Sequence, residues 1–310
     1  MNTPAERGIN DASSSRLKRQ VRIWLVGARP RTLTMAAVPV VVGAALAWSG
    51  GAGVDGLVFA ATLLCAVLIQ VGTNLFNDAA DGERGADGPD RLGPLRLTGS
   101  GLATAARVRR AAIVSFSLAL LAGVYLVAAG GAAILGIGIA SLVAGYAYSS
   151  GPWPLSYGPW AELYVIAFFG VIAVTGSYFL QAGVLPTVAI VLVGIAVGCP
   201  AAAVLLVNNV RDRDADLAAG RRTLAGRLGA GASRWLYVFL MLAPYALLAA
   251  ALGLRDLGVA WLSLPLALAV ALRFDSAADG HAMNAQLGRT ALSQTVLGVL
   301  LAVQLLVPWN

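Results

Sequence analysis

Nine long apolar runs dominate this sequence, and each is close to the ~20 residues that an α-helix needs to cross the hydrocarbon of a bilayer. Only 12% of the residues are charged and 58% are hydrophobic, whereas soluble domains average about 25% charged residues. The sequence therefore predicts an all-α membrane protein with about nine transmembrane helices. The predicted spans cover residues 33–50, 55–76, 110–129, 131–149, 160–181, 186–208, 234–252, 257–272 and 290–308.

The basic residues set the expected orientation. When the N-terminus is placed inside, all of the 22 Lys and Arg residues except Arg255 fall in segments on the inner side. Because such segments face the cytoplasm, we expect a multi-pass protein of the cell membrane with a cytoplasmic N-terminus and two long cytoplasmic loops, about 77–109 and 209–233. The net charge of +7 then serves orientation and contact with anionic lipid or phosphate, and no nucleic-acid partner is expected.

The chain divides into a short polar start and one long apolar domain. Residues 1–21 are rich in polar residues and are predicted to be a disordered cytoplasmic N-terminus, without the apolar core and cleavage site of a secretion signal. Residues 22–310 are predicted to form a single polytopic transmembrane domain. Cys65 and Cys199 lie inside apolar runs and are interpreted as small buried hydrophobes, with neither disulfide nor metal spacing.

Two polar segments stand out against this background. The first acidic segment, Asn74–Asp81, and the second acidic segment, Asn208–Asp216, each come at the end of an apolar run. Asn and Asp residues recur in both at intervals of four, which places them on one face of a helix: Asn77 and Asp81 in the first, and Asn208, Asp212 and Asp216 in the second. The recurrence indicates a duplicated half, with both segments at the same membrane face.

Carboxylates beside hydrocarbon are costly and are kept mostly where they have a function. Oxygen ligands from two helices suit Mg²⁺, which usually takes one or two carboxylates together with substrate phosphate oxygens. The alternative is that these residues only cap helix ends at the membrane surface. With basic side chains nearby, the pattern favours a site that binds a diphosphate through Mg²⁺. The candidate hydrogen-bond donors to the phosphate oxygens are Arg91, Arg211, Arg221 and Arg222.

Aromatic residues cluster around the fourth and fifth runs. If a diphosphate leaves from an allylic carbon, a carbocation forms, and aromatic faces stabilise nearby cations. Each of these residues can instead belong to an interfacial belt or to core packing. The cluster comprises Tyr146, Tyr148, Trp153, Tyr157, Tyr164, Phe168 and Phe169.

Two rival classes have to be weighed against an enzyme. A transporter also combines repeated helical architecture with intramembrane charge, but the charges here lie at the ends of the runs and not at the bilayer centre. A structural scaffold accounts for neither the doubled carboxylates nor their spacing.

The order of these motifs resembles the UbiA superfamily of membrane prenyltransferases, and within it the branch that prenylates 1,4-dihydroxy-2-naphthoate for menaquinone. The likeness covers about residues 22–310, and its acidic segments are the most specific part. The assignment to the naphthoate branch depends on less specific motifs. The matching stretches are 28–33, 74–81 with Gly85 and Asp87, 90–96, 154–158 with Glu162, and 208–216 with Gly220, Arg222, Thr223 and Leu224.

The resemblance implies a role for each matching residue. Asn77, Asp81, Asp212 and Asp216 would hold Mg²⁺ and the prenyl diphosphate and thereby carry the catalysis. Around them, Asp78, Asp87 and Asn208 would support substrate binding, Arg211 and Arg222 would contact phosphate, Arg29 would face an acidic aromatic acceptor, and Tyr157 would belong to the substrate site. The sequence departs from the pattern in having Arg221-Arg222 where a Lys is usual, and Ala79-Ala80 where aromatic residues are frequent.

The resemblance also implies the reaction. A polyprenyl diphosphate would lose its diphosphate with the help of Mg²⁺, and the ring of an aromatic acceptor in a cavity among nine helices would attack the allylic cation. In the naphthoate branch the ring carboxyl would then leave as carbon dioxide, giving demethylmenaquinone. Other acceptors, such as 4-hydroxybenzoate and homogentisate, stay open at this point.

Overall fold

The computed structural model describes residues 18–85, 93, 95–253 and 258–307, apart from the side chain of residue 31. Every regular element within these ranges is helical, as the sequence predicts. The helices are α1 (18–28), α2 (Pro30–Ser49), α3 (Gly56–Glu83), α4 (Ala105–Ala147), α5 (Ala161–Ile166), α6 (Ala173–Ala182), α7 (Val188–Arg211), α8 (Arg213–Ala218), α9 (Leu224–Leu252), α10 (Leu264–Leu272) and α11 (Gly280–Leu306). A π-helical turn, Ala167–Ile172, joins α5 to α6, and short 3₁₀ turns cover Leu155–Tyr157 and Val259–Ser263.

Helix α4 consists of two arms that fold back on each other at Gly131. The φ of Gly131 is 67°, in the left-handed region that glycine adopts without steric cost. In a straight helix Phe116 and Gly145 would be roughly 40 Å apart, yet a Cβ built on Gly145 would lie 3.0 Å from Phe116 Cζ. The reversal falls at the predicted border between the third and fourth apolar runs, and α4 packs extensively against α3.

Seven helical segments among the described residues are long and apolar enough to cross a membrane, with α4 counted once and α5 to α6 counted as one. The predicted run 257–272 corresponds to the shorter apolar segment Val259–Leu272. A multi-spanning helical protein is thus confirmed, while the count of nine crossings stays a prediction.

Several boundaries differ from those expected. Helix α3 continues beyond the predicted end at residue 76 to Glu83, so that the whole first acidic segment is helical. Residues 18–21, which belong to the 1–21 segment predicted to be disordered, are helical as part of α1; residues 1–17 lie outside the described part.

Helix α7 is the central element, since 78% of its most apolar 18-residue stretch is buried inside the protein. Helices α5, α9 and α11 and the π-helical turn pack around it. The approach is closest at Gly170 of that turn, where a Cβ would lie 2.4 Å from the carbonyl oxygen of Gly194, so only glycine permits this contact. Helix α2 packs on both α3 and α7, and residues near the C-terminal ends of α3 and α7 border the same space.

Candidate active site

The first acidic segment forms the last turns of α3. Asn77 and Asp81 lie one helical turn apart, and Arg96 contacts both of them: its guanidinium donates to Asn77 Oδ1 at 3.0 Å and to Asp81 Oδ2 at 2.9 Å. Asp81 and Arg96 are both buried, with 2% and 6% of their surface exposed. Arg96 lies in the matching stretch 90–96, but the sequence predicts no role for it, because nothing in a loop sequence indicates that the loop folds back over the preceding helix.

Asp78 lies on a different face of α3 from Asn77 and serves the loop that carries Arg96. Its carboxylate accepts hydrogen bonds from the backbone N–H of Leu97 at 2.8 Å, the backbone N–H of Thr98 at 3.0 Å and the Thr98 hydroxyl at 2.6 Å. Asp78 is fully buried and is not among the residues that line the cavity described below. The structure thus places Asp78 as the anchor of the loop that carries Arg96, so that its support of the site is indirect.

The second acidic segment keeps its helical register although α7 ends at Arg211. The backbone N–H of Asp212 donates to Asn208 O at 3.0 Å, and that of Asp216 donates to Asp212 O at 2.8 Å. The predicted common face is therefore retained through the junction between α7 and α8. All three side chains line one cavity.

Arg211 is fixed by two partners. It donates to both carboxylate oxygens of Asp212, at 2.7 and 2.6 Å, and to Asn284 Oδ1 of α11 at 2.7 Å. A bidentate guanidinium–carboxylate pair of this kind is geometrically specific. Arg211 thus ties the end of α7 to α11 while lining the cavity.

Arg221 joins the two acidic segments. One of its nitrogens donates to Asp81 Oδ1 and another to Asp216 Oδ1, the latter at 3.3 Å. Its guanidinium carbon also lies 4.6 Å from the centre of the Tyr157 ring. Burial by itself lowers the pKa of Arg221, but the charges of Asp81 and Asp216 outweigh it and raise the pKa above its ordinary value, so this cation stays charged.

Arg222, which the resemblance assigned to phosphate, is placed differently. Its side chain is exposed, and its backbone N–H donates to Tyr157 O at 2.8 Å. Tyr157 is half-buried beneath Arg221 and also accepts a hydrogen bond from Arg84 at 3.3 Å, without lining the cavity. The neighbouring Arg221 therefore occupies the position expected of Arg222. Asp87 and Arg91 lie outside the described residues.

One cavity of about 1070 Å³ is lined by polar side chains of the two acidic segments and their neighbours at one end, and by apolar side chains at the other. Its apolar walls come from α2, α3, both arms of α4, and α5 to α6. The polar end is lined by Arg29, Asn74, Asn77, Arg96, Asn208, Arg211, Asp212, Asp216 and Arg221. Such a cavity can take a molecule with an anionic head and a long apolar tail.

Four of the seven predicted aromatic residues line this cavity: Tyr148, Tyr164, Phe168 and Phe169. Tyr164 stacks on Phe168 with 4.6 Å between ring centres, and Tyr148 lies 5.7 Å from Tyr164. Trp153 is 87% exposed.

The oxygen atoms at the polar end of the cavity are of the kind that Mg²⁺ takes as ligands. Amide groups of Asn74 and Asn77 in α3 and carboxylates of Asp212 and Asp216 at the α7–α8 junction line the same cavity. Asp81 is buried and does not itself line the cavity, but it pairs with Arg96 and Arg221, which do. Among residues 18–85, 93, 95–253 and 258–307, no three His, Cys, Asp or Glu side chains form a ready metal cage. Mg²⁺ usually binds through one or two carboxylates and completes its coordination with water and substrate phosphate, and the donor set fits that mode.

Comparison with known proteins agrees with this architecture. The chain is 38% identical over 236 residues to the 1,4-dihydroxy-2-naphthoate octaprenyltransferase of Escherichia coli (strain K12), over 74% of this chain and 76% of the relative. It is 40% identical over 215 residues to the protein of the same name from Mycobacterium tuberculosis, over 69% of this chain and 72% of that one.

A solved structure of a UbiA homolog from Archaeoglobus fulgidus bound to GPP and Mg²⁺ shares the fold with a TM-score of 0.62 at 17% identity, over 91% of this chain and 99% of that one. The apo structure of a UbiA homolog from Aeropyrum pernix K1 also gives a TM-score of 0.62, at 14% identity, over 87% of this chain and 96% of that one. The model of the UbiA prenyltransferase family matches residues 36–287. The chain therefore belongs to the UbiA prenyltransferase family.

Proposed function

We propose that this protein transfers a polyprenyl group from a prenyl diphosphate to 1,4-dihydroxy-2-naphthoate, with loss of carbon dioxide, to give demethylmenaquinol, the hydroquinone form of demethylmenaquinone. Relatives at 38% and 40% identity carry the name 1,4-dihydroxy-2-naphthoate octaprenyltransferase, which supports this acceptor over 4-hydroxybenzoate and homogentisate. A transporter with the same polar residues would form no covalent product.

A single observation carries the proposal: one guanidinium, that of Arg221, contacts both Asp81 and Asp216. The two acidic segments therefore lie close enough for one small anionic head group and its metal to lie between them. The same cavity continues along apolar helices, which matches the other half of a prenyl diphosphate.

In the proposed site Asn77, Asp81, Asp212 and Asp216 hold Mg²⁺ with the diphosphate. When bound, Mg²⁺ supplies positive charge against the departing diphosphate. Arg211 and Arg221 pair with carboxylates in the structure, and in the proposed complex they donate instead to phosphate oxygens. Asn208 supports the same region, and Arg29 offers positive charge to the carboxylate of the acceptor.

The protein groups then act on the reacting carbons. The bond between the first prenyl carbon and oxygen breaks, and the electron pair leaves with the diphosphate. Tyr164 and Phe168 present ring faces on which the allylic cation is stabilised, and the apolar walls exclude water that would otherwise trap it. The acceptor ring supplies the electron pair of the new carbon–carbon bond. Departure of the carboxyl as carbon dioxide, with loss of its proton, returns an electron pair to the ring.

We further propose that the site faces the cytoplasm in the cell membrane. All Lys and Arg residues except Arg255 lie in segments predicted on the inner side, as cytoplasmic segments usually do. Labelling of single cysteines placed at positions 214 and 255 in intact cells distinguishes the sides: position 214 should be protected from an impermeant reagent and position 255 labelled. The opposite pattern would reverse the orientation.

The test of function is an acceptor panel. Membranes containing the protein are incubated with labelled prenyl diphosphate and Mg²⁺, and with the naphthoate, 4-hydroxybenzoate or homogentisate in turn. We expect a prenylated, decarboxylated product only with the naphthoate, and none when Mg²⁺ is chelated. A product with another acceptor alone would reassign the substrate, and no product with any acceptor would refute prenyl transfer to these rings.

A further inference from the structure

Arg29 has an unusual backbone conformation for a residue with a side chain. Its φ is 54° and its ψ is 68°, and it is the only residue other than glycine with a positive φ in the part of the chain that the structure describes. Left-handed conformations are unfavourable for residues with a Cβ and persist where the surroundings hold them. Arg29 connects α1 to α2, and it lines the cavity.

Both peptide units that flank the Arg29 Cα are held by hydrogen bonds. In the unit before Arg29, the Arg29 N–H donates to Leu25 O at 3.2 Å and to Val26 O at 3.3 Å, and the carbonyl Ala28 O accepts from the Asn74 side chain at 3.0 Å. The backbone N–H and the hydroxyl of Thr32 donate to Arg29 O, at 2.9 and 3.0 Å, which fixes the unit after it. Since φ and ψ describe the rotation of these two units about Cα, the two sets of bonds together define the conformation.

Among these hydrogen-bond partners, Asn74 is the one that lies outside α1 and α2, in α3. It is 7% exposed, lies one turn before Asn77 in α3, and also donates to Thr32 Oγ1 at 3.3 Å. The side-chain amide of Asn74 thus connects α3 to the turn between α1 and α2 that contains Arg29. Without this donor, the peptide unit between Ala28 and Arg29 keeps the bonds of its N–H to Leu25 O and Val26 O, but its carbonyl is no longer fixed by α3. The unit is then held on its N–H side, and the direction of the Arg29 Cβ is less closely defined.

We propose that Asn74 is a positioning residue that acts through Arg29, holding the left-handed turn so that the guanidinium faces the anionic group of the acceptor. This inference rests on the proposed function, because acceptor binding is its readout. It assigns the first residue of the first acidic segment to the acceptor side of the reaction, whereas the proposed function assigns Asn77 and Asp81 of that segment to the diphosphate.

A double-mutant cycle tests the inference. The variants Asn74→Ala, Arg29→Ala and the double variant are compared with the parent protein in kcat and in the KM of each substrate. Misplacement of a binding group by about 1 Å can cost on the order of 100-fold in rate, and we expect Asn74→Ala to lower kcat/KM for the naphthoate by about that factor. The KM for prenyl diphosphate should change less than about twofold, and Asn74→Ala should have almost no effect in the Arg29→Ala background, since residues that act as one unit are non-additive.

The matched control is Gln70→Ala. Gln70 is also buried in α3, lines the same cavity one turn earlier, and makes no hydrogen bond to residues 28–32 within the described part of the chain. Gln70→Ala should change kcat/KM for the naphthoate by the same factor in the parent protein and in the Arg29→Ala variant. If Gln70→Ala is also silent in Arg29→Ala, the non-additivity is general, and the inference fails.

The inference is also overturned if Asn74→Ala lowers activity equally with and without Arg29. Thermal unfolding in detergent identifies variants that do not fold; should Asn74→Ala be one of them, Thr32→Val replaces it in the cycle with the same expected outcome, because it removes one of the two donors to Arg29 O. If the parent protein forms no naphthoate product at all, the proposed function fails instead, which is a separate result.

Discussion

Arg221 donates a hydrogen bond to Asp81 across 140 positions of the chain. Asp81 belongs to the last turns of α3, and Arg221 follows α8, whose Asp216 contacts the same guanidinium. This arrangement brings the two acidic segments to one end of one cavity. A cation that already bridges them indicates where the charge of a metal–diphosphate complex would be accommodated.

Arg221 and its neighbour Arg222 provide a matched pair of variants. Arg221→Ala should lower kcat/KM for prenyl diphosphate by about 100-fold or more, because a preorganised donor in a cavity of low polarity is lost. Arg222→Ala should change it by less than about threefold, since an exposed charge is screened by solvent. Steady-state kinetics on purified protein in lipid vesicles measures both, and a larger effect for Arg222 would contradict the placement.

Removal of a carboxylate from either acidic segment should abolish the reaction. We expect Asp81→Ala and Asp212→Ala to give no detectable prenylated product, because the leaving diphosphate loses the metal that neutralises it. Asp275→Ala is the control: Asp275 is exposed and accepts a hydrogen bond only locally, from Ala277 N–H at 3.0 Å. Product formation by the Asp81 or Asp212 variant at the level of this control would remove that residue from the site.

Asp78 should prove structural. Asp78→Ala leaves the N–H groups of the buried Leu97 and the half-buried Thr98 without their acceptor, and an unpaired buried group such as that of Leu97 costs about 1–3 kcal/mol. We expect a lower unfolding temperature in detergent together with lower activity, because the loop that holds Arg96 loosens. Unchanged stability combined with lost activity would instead place Asp78 in substrate binding.

The ring faces in the cavity should matter for the rate and not for folding. Phe168→Leu retains apolar bulk but removes the aromatic face stacked on Tyr164, and cation–π contacts contribute about 0.5–2 kcal/mol. We expect kcat to fall by roughly 2- to 30-fold, with little change in the KM of either substrate. Phe239→Leu, on the exposed side of α9, should leave kcat unchanged; equal effects of the two variants would argue against cation stabilisation.

The parts of the site that could be predicted are those governed by local spacing. Asn208, Asp212 and Asp216 share a face because helical hydrogen bonds continue through the α7–α8 junction, and a period of four specifies this in advance. Asn77 likewise lines the cavity as its segment predicts. The break at Gly131 coincides with the border between two apolar runs, where glycine allows the left-handed conformation.

The sequence by itself determined a helical membrane protein with two acidic segments, because hydrophobicity and helical period are properties of neighbouring residues. Only the tertiary structure decided that Arg221 and not Arg222 enters the cavity, that Arg96 contacts Asn77 and Asp81, and that Asp78 anchors a loop. These choices depend on how a loop returns over a helix end. The pairing of buried charges across distant segments fixes that path, and no local pattern records it.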